Sequence, residues 1–323
     1  MPLLSLIVPC YNEEESLGLL YSALSSICSQ LLEEYELASE ILLVNDGSKD
    51  GTLGAMKALA AADTRVHYIS FSRNFGKEAA MYAGLIESRG DYVVVMDADM
   101  QHPPSLLKEM YQALVDEGYD CAAAMRSNRR GEPWLKRLFS HLYYPLINRM
   151  SPTKLVPGAT DYGMMTRQMV EAILSLPEHN RFTKGINSWV GFEVKWLPYE
   201  NLDRVAGSTK WSLWGLLLYS LQGLISFSTA PLAFASVAGL VLCLIALISV
   251  VWVVVRTIIY GDPVAGFPTL ITVIIFIGGI QMLFLGIIGQ YLAKTYLESK
   301  GRPIYIVKER SPIATPHDHQ LPS

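Results

Sequence analysis

Short apolar runs alternate with longer amphipathic stretches through the first 125 residues. Leu4–Val8, Ile41–Val44, Val66–Ser70, Tyr92–Met96 and Cys121–Met125 are brief and largely uninterrupted by charge, which predicts strands. Between them, Glu13–Leu32, Thr52–Ala61, Lys77–Ser88 and Ser105–Glu117 carry apolar residues at spacings of three and four, which predicts helices. Strands that are apolar on both faces and separated by helices belong to parallel sheets covered on both sides. The expected fold class is α/β, Rossmann-like, with a mainly parallel sheet and helices on both faces. In such sheets ligands bind beyond the carboxyl ends of the strands.

The pattern changes after residue 210. Leu232–Val255 and Phe267–Leu292 are uncharged runs, each longer than the roughly 20 residues a helix needs to cross a ~30 Å hydrocarbon core. The link between them contains Gly261, Asp262 and Pro263, so the two runs read as a transmembrane hairpin. Lys294, Lys300, Arg302, Lys308 and Arg310 follow the second run, and Arg204 and Lys210 precede the first. Positive flanks face the cytoplasm. The expectation is a multi-pass protein of the inner (plasma) membrane, with its large domain and C-terminus cytoplasmic. Residues 1–203 would be that domain, 204–230 a juxtamembrane region, 231–293 the two spans and 294–323 a tail whose end reads as disordered.

Composition supports this division. Charged residues are 17% of the chain, and the net charge is -4. Only Arg256 and Asp262 are charged between Trp211 and Ala293, whereas residues 1–210 carry an ordinary soluble-domain share. This excludes a purely cytosolic protein, a disordered chain and a many-span transporter. The run Leu3–Val8 has no basic residue before it and meets Pro9 and Asn12 early, so it is not a secretory signal. Cys10, Cys28, Cys121 and Cys243 lack metal-ligand spacing and read as core residues. Trp211, Trp214, Leu218, Leu221 and Ile225 form one helical stripe, suited to a helix lying in the membrane interface. Trp134–Met150 has a similar stripe, with core packing an equal alternative.

The polar residues cluster just after the strands. They are Pro9-Cys10-Tyr11-Asn12-Glu13, then Asn45 to Thr52, then Arg73 to Glu78, then Asp97 to Pro104, then Arg126 with Arg129 and Arg130. Four polar loops converging on one sheet edge favour a site over four unrelated turns. There is no G-x-G-x-x-G after the first strand and no G-x-x-x-x-G-K-[ST], which argues against dinucleotide oxidoreductases and P-loop ATPases. Asp97 and Asp99, one residue apart at a strand end, offer hard oxygen ligands for Mg²⁺ or Mn²⁺, and Gln101 can add a third. Such an ion would hold a diphosphate. Asp46 could accept a hydrogen bond from a base or a ribose. On spacing alone Lys77 reads as a solvated lysine, although a cation at a helix start also attracts phosphate.

The runs P-C-Y-N-E-E, V-N-D-G-S-K-D-G-T, R-N-F-G-K-E and D-A-D-M-Q-H-P-P together resemble the family 2 glycosyltransferases of GT-A fold. More narrowly the chain resembles polyprenyl-phosphate glycosyltransferases, the bactoprenol glucosyltransferase branch above the dolichol-phosphate mannose synthases. A-T-D-Y-G-M-M-T-R (159–167), R-F-T-K-G-I-N-S-W-V-G (181–191) and R-V-A-G-S-T-K-W (204–211) extend the likeness to about Lys308. The resemblance implies that Pro9, Tyr11, Glu13 and Asp46 hold the nucleoside, with Lys77 near the donor. It implies that Asp97, Asp99 and Gln101 form the metal and diphosphate site, that Asp161 lies beside the acceptor, and that Arg126, Arg204 and Lys210 meet the lipid phosphate. Arg129 and Arg130 join that basic set by position. Asp99 and Asp161 are then the catalytic candidates, Asp161 ranking below the metal ligands.

The implied reaction is inverting transfer of one sugar from a nucleotide sugar to undecaprenyl phosphate. The Q-x-x-R-W motif of processive polysaccharide synthases is absent. UDP-glucose is the first-choice donor, followed by UDP-N-acetylglucosamine and GDP-mannose. The implied partners are the nucleotide sugar, the lipid, the membrane and further copies of the chain, and no nucleic acid. The competing non-enzymatic reading, an inactive membrane-anchored partner protein, is disfavoured by the intact Asp46, Lys77, Asp97 and Asp99.

Overall fold

A computed structural model describes residues 1–127, 156–176, 178–179, 181–199, 230–260 and 266–312, with positions 145, 148, 149 and 154. The five expected strands are β1 (Leu3–Cys10), β2 (Ala38–Asn45), β3 (Val66–Phe71), β4 (Tyr92–Val95) and β5 (Cys121–Arg126). The four expected helices are α1 (Glu14–Tyr35), α2 (Thr52–Ala62), α3 (Lys77–Glu87) and α4 (Leu106–Val115). Strand periodicity explains how they pack. Leu4, Leu6 and Val8 face one core with Leu20, Leu24 and Leu31 of α1 and Leu107 and Met110 of α4. Ile7 points to the opposite core, with Ala80 and Ala83 of α3. Burying each such Leu or Ile contributes roughly 1.5–3 kcal/mol. α3 lies tight on β1 because Gly84 has no side chain, since a Cβ there would collide with Ile7.

Three strands were not expected. They are β6 (Ala159–Thr166), β7 (Val194–Tyr199) and β8 (Val307–Arg310). The sheet runs β7-β5-β6-β4-β1-β2-β3-β8. β1 is parallel to β2 and β4, and β2 to β3, as expected. β6, however, is inserted antiparallel between β4 and β5, and β8 runs antiparallel along β3. The sheet is therefore mixed. β7 carries Pro198 and forms one edge, where a missing N–H costs least. β8 covers the other edge with the charged sequence V-K-E-R.

Helices α5 (Arg167–Leu174) and α6 (Thr183–Trp189) follow β6. Two long helices, α7 (Ala230–Tyr260) and α8 (Phe267–Ser299), occupy the stretches read as spans. Among the described residues, Phe276–Ser299 is long and apolar enough to cross a membrane, with mean hydropathy 1.6. Phe234, Ile248 and Trp252 of α7 and Ile274, Phe276 and Leu283 of α8 are exposed. Soluble monomers rarely present so much contiguous apolar surface. Cys10, Cys28 and Cys121 are free and buried in the sheet domain.

Candidate active site

The carboxyl ends of β1, β2 and β3 are bound together by their loops. The turn after β1 places Asn12 at φ 56°, in the left-handed region that asparagine tolerates best. Its amide donates to Ser48 Oγ (3.0 Å), and its side-chain oxygen accepts from the Lys49 amide (2.9 Å). The Glu13 amide donates to Thr52 Oγ1 (2.9 Å), while its carboxylate accepts from Ser16 Oγ (2.7 Å). Pro9 sits in β1 opposite Val44, and Tyr11 is half-buried in the same turn.

Asp46 is buried, and both its oxygens face the next loop. Oδ1 accepts from the Phe75 amide at 2.6 Å, and Oδ2 from the Gly76 amide at 3.0 Å. Burial pushes this carboxyl up from its ordinary range, partly opposed by the two amides and Arg73. Asp46 thus braces the loop that leads into α3. Gly47 lies at φ 65° against the Arg73 and Asn74 backbone, where any Cβ would collide.

That loop delivers Lys77, the first residue of α3. Its ammonium is 2.6 Å from Asp97 Oδ1 and 2.7 Å from Asp161 Oδ2. The antiparallel register explains the meeting. Tyr92 pairs with Thr166 and Val95 with Gly163, so two residues further on Asp161 stands opposite Asp97. Burial works against the Lys77 ammonium, yet the two carboxylates together outweigh it and raise its pKa above the ordinary range. Burial likewise pushes Asp161 up, but Lys77 and Lys184 prevail and hold it below the usual carboxylate range. Lys77 is exposed, as a solvated lysine would be, and is ion-paired as well.

The loop after β4 turns at Met100, φ 59°, a left-handed conformation costing a side-chain-bearing residue roughly 1–2 kcal/mol. The turn lets the Gln101 amide donate to Asp99 Oδ1 at 3.2 Å. Gln101 Oε1 accepts from Arg126 Nη2 at 3.4 Å, which sets Arg126, at the end of β5, beside this loop. His102 lies at the bend that follows. It is buried, stacks on Tyr162 at 5.0 Å and meets Tyr199 edge-on, and burial lowers its pKa.

Among the described residues no group of three His, Cys, Asp or Glu side chains could hold a metal ion by itself. The set Asp97, Asp99 and Gln101 has two carboxylates and one amide. That fits a hard cation which takes its remaining ligands from phosphate and water, as Mg²⁺ usually does. It does not fit a metal caged by protein alone.

Several site residues escaped the sequence reading. Lys184 Nζ donates to the Ala159 carbonyl at 3.0 Å and faces Asp161. Glu78 accepts from the amide (3.1 Å) and hydroxyl of Thr183, joining α3 to α6, and burial raises its pKa. Arg181 is buried under this joint, 4.2 Å over the Tyr82 ring. The run 181–191 is the sequence signal for Arg181 and Lys184, and R-N-F-G-K-E is the signal for Glu78. Arg129, Arg130, Arg204 and Lys210, the helices expected at 134–150 and 211–226, and the junction motif at 204–211 lie outside the described residues, apart from positions 145, 148 and 149.

The likeness of this sequence to known proteins decides the family. The model of glycosyl transferase family 2 matches residues 5–174. The chain belongs to that family. A prophage bactoprenol glucosyl transferase homolog of Escherichia coli (strain K12) is 41% identical, over 94% of this chain and 98% of that protein. The bactoprenol glucosyl transferase of Shigella phage SfX is 39% identical, over 95% of this chain and 99% of its own length. The uncharacterized glycosyltransferase sll0501 of Synechocystis sp. (strain ATCC 27184 / PCC 6803 / Kazusa) is also 39% identical, over 95% of both chains. The glycosyltransferase thus has a mixed α/β sheet, and the candidate site residues among those described gather at one edge.

Proposed function

We propose that this glycosyltransferase moves one glucose from UDP-glucose to a membrane polyprenyl phosphate, undecaprenyl phosphate, with inversion at the anomeric carbon. The observation that carries the reading is the Asp97–Lys77–Asp161 arrangement at the sheet edge, in a chain matching proteins named bactoprenol glucosyl transferase over nearly their whole length. In this reading Pro9, Tyr11, Glu13 and Asp46 form the nucleoside end of the site. Asp97, Asp99 and Gln101 would hold Mg²⁺ or Mn²⁺, which when bound offsets charge on the departing diphosphate.

The reaction balances without a strong base. A phosphate monoester has a second pKa of about 6, so the lipid phosphate is already a nucleophile near neutrality. Its oxygen forms a bond to the anomeric carbon as the bond to the diphosphate breaks, and the electron pair leaves with UDP. Lys77 stands where that negative charge develops, and preorganised charge is the largest common source of rate enhancement. Asp161, kept ionised by Lys77 and Lys184, orients the acceptor side. Arg126, with Arg129, Arg204 and Lys210, would hold the lipid phosphate, since guanidinium groups bind phosphate bidentately.

The apolar exposed surfaces of α7 and α8 support membrane attachment. We assign residues 1–203 to the catalytic domain, 204–230 to the interface, 231–293 to two spans and 294–323 to a cytoplasmic tail, part of which returns to the catalytic sheet as β8, in an inner-membrane homo-oligomer. The test is a screen of radiolabelled nucleotide sugars with undecaprenyl phosphate and Mg²⁺ or Mn²⁺, using the purified full-length protein. Lipid-linked glucose is the expected product. Labelling from UDP-N-acetylglucosamine or GDP-mannose alone would replace the donor, and no labelled lipid from any donor would overturn the reading.

A further inference from the structure

The chain that leaves α8 returns to the sheet and touches the loop that carries Lys77. At the end of α8 the Glu298 carboxylate accepts from the His179 amide at 3.0 Å. The chain then turns through Gly301 at φ 56°. Ile304 and Tyr305 pack against the core that α3 shares with β1 and β2. The Tyr305 ring stacks on Phe71 at 4.8 Å and 18°. Phe71 in turn meets Phe75 edge-on at 5.8 Å. The Ser72 amide donates to the Ile306 carbonyl at 2.9 Å, after which β8 pairs with β3 through Val307 and Phe71. Lys57–Glu309 at 2.7 Å and Arg310–Glu87 at 3.1 Å hold β8 to α2 and α3.

Phe75 is the hinge of this arrangement. Its amide is one of the two bound by Asp46, and Gly76 and Lys77 follow directly. Arg73 lies 4.1 Å over its ring. The stack Tyr305–Phe71–Phe75 therefore reaches from the segment after α8 to the backbone that aims the Lys77 ammonium.

We propose that Tyr305 is a positioning residue for the donor site, fixing Phe75 through Phe71 and so setting where Lys77 stands. This rests on the reading of the Lys77 loop as part of the donor site. The segment after α8 then completes that site, although it lies more than 200 residues from Lys77 in sequence. Stacked and edge-on rings have preferred geometries, so an aliphatic side chain can fill the volume without holding the orientation.

The experiment compares Tyr305→Leu, Tyr305→Phe and the parent, full length and in lipid nanodiscs. Amide hydrogen exchange is followed in the peptide spanning residues 72–78, with transfer kinetics alongside. Tyr305→Leu should accelerate exchange at Phe75 and Gly76 several-fold while β1 and β4 remain protected. Its nucleotide-sugar KM should rise several-fold with the lipid KM unchanged, and Tyr305→Phe should restore both. Unchanged exchange at Phe75 and Gly76 overturns the proposal, as does faster exchange with an unaltered donor KM. If Tyr305→Leu exposes β1 and β4 as well, Tyr305→Met takes its place under the same criteria. Absence of transfer by the parent with every donor defeats the proposed function instead, and donor-binding titrations of parent and variant then decide the proposal in place of KM.

Discussion

Lys77 Nζ bridges Asp161 Oδ2 at 2.7 Å and Asp97 Oδ1 at 2.6 Å, joining two carboxylates that lie more than sixty positions apart in the chain. Lys77→Met removes that bridge and leaves the carboxylates facing each other. Transfer should fall about 10²–10³-fold in kcat/KM, the usual cost of removing one preorganised electrostatic group. The pH profile should change too. Asp161 is held low chiefly by Lys77, against burial that pushes it up. Without the ammonium its folded pKa rises, so activity that needs the carboxylate is lost at a higher pH as the solution is acidified. An acid limb at the parent's position would refute this account of Asp161.

Asp99 shares the turn at Met100 with Gln101. Asp99→Asn keeps the shape of the side chain and removes a negative oxygen ligand. Sugar transfer by the folded variant should drop at least a hundredfold, and chelation should silence the parent until Mn²⁺ or Mg²⁺ is returned. Full turnover after exhaustive chelation would remove the metal from the scheme.

Much of the sheet was legible because its signals are local. β1 to β5 and α1 to α4 announce themselves by period, and their loops by the polar residues that end each apolar run. β6 did not, because A-T-D-Y-G-M-M-T mixes polar and apolar positions without clean alternation. β7 was hidden by Pro198, and β8 by being four residues of V-K-E-R whose strand character comes wholly from the β3 edge it covers. The Asp97–Asp161 juxtaposition depends on an antiparallel register, which no local pattern encodes. The same holds for Lys184, whose approach to Asp161 requires α6 to fold back onto β6. Residue chemistry identified the acidic turn, and the resemblance supplied Asp161. Only the register shows why the two belong together.

Gly47 offers a test of how the loops are braced. Its φ of 65° suits glycine, and a Cβ there would meet the Arg73 carbonyl group and the Asn74 amide. Gly47→Ala must push the loop after β3 away from Asp46. Strain plus displacement should cost about 1–3 kcal/mol, seen as a lower unfolding midpoint. The nucleotide-sugar KM should rise more than the lipid KM, since the loop displaced is the one leading to Lys77. Equal rises would mean that the loop does not serve the donor.

Asp63 gives a prediction that stands apart from catalysis. Arg65 binds it through Nε at 3.1 Å and Nη2 at 2.8 Å, and the Tyr21 hydroxyl adds a bond of 2.9 Å from α1. The Arg65 guanidinium above all pulls the carboxyl down to about 2 from its ordinary value of 3.8. A depressed folded pKa stabilises the fold at any pH above the unfolded value, and that contribution fades as pH falls toward the folded one. Near neutrality it is worth about 2 kcal/mol. Asp63→Asn should therefore lower the unfolding midpoint at pH 7, and the gap to the parent should narrow at pH 3. A gap that stays constant between the two, measured by thermal unfolding in one detergent, would mean that packing rather than charge holds this corner.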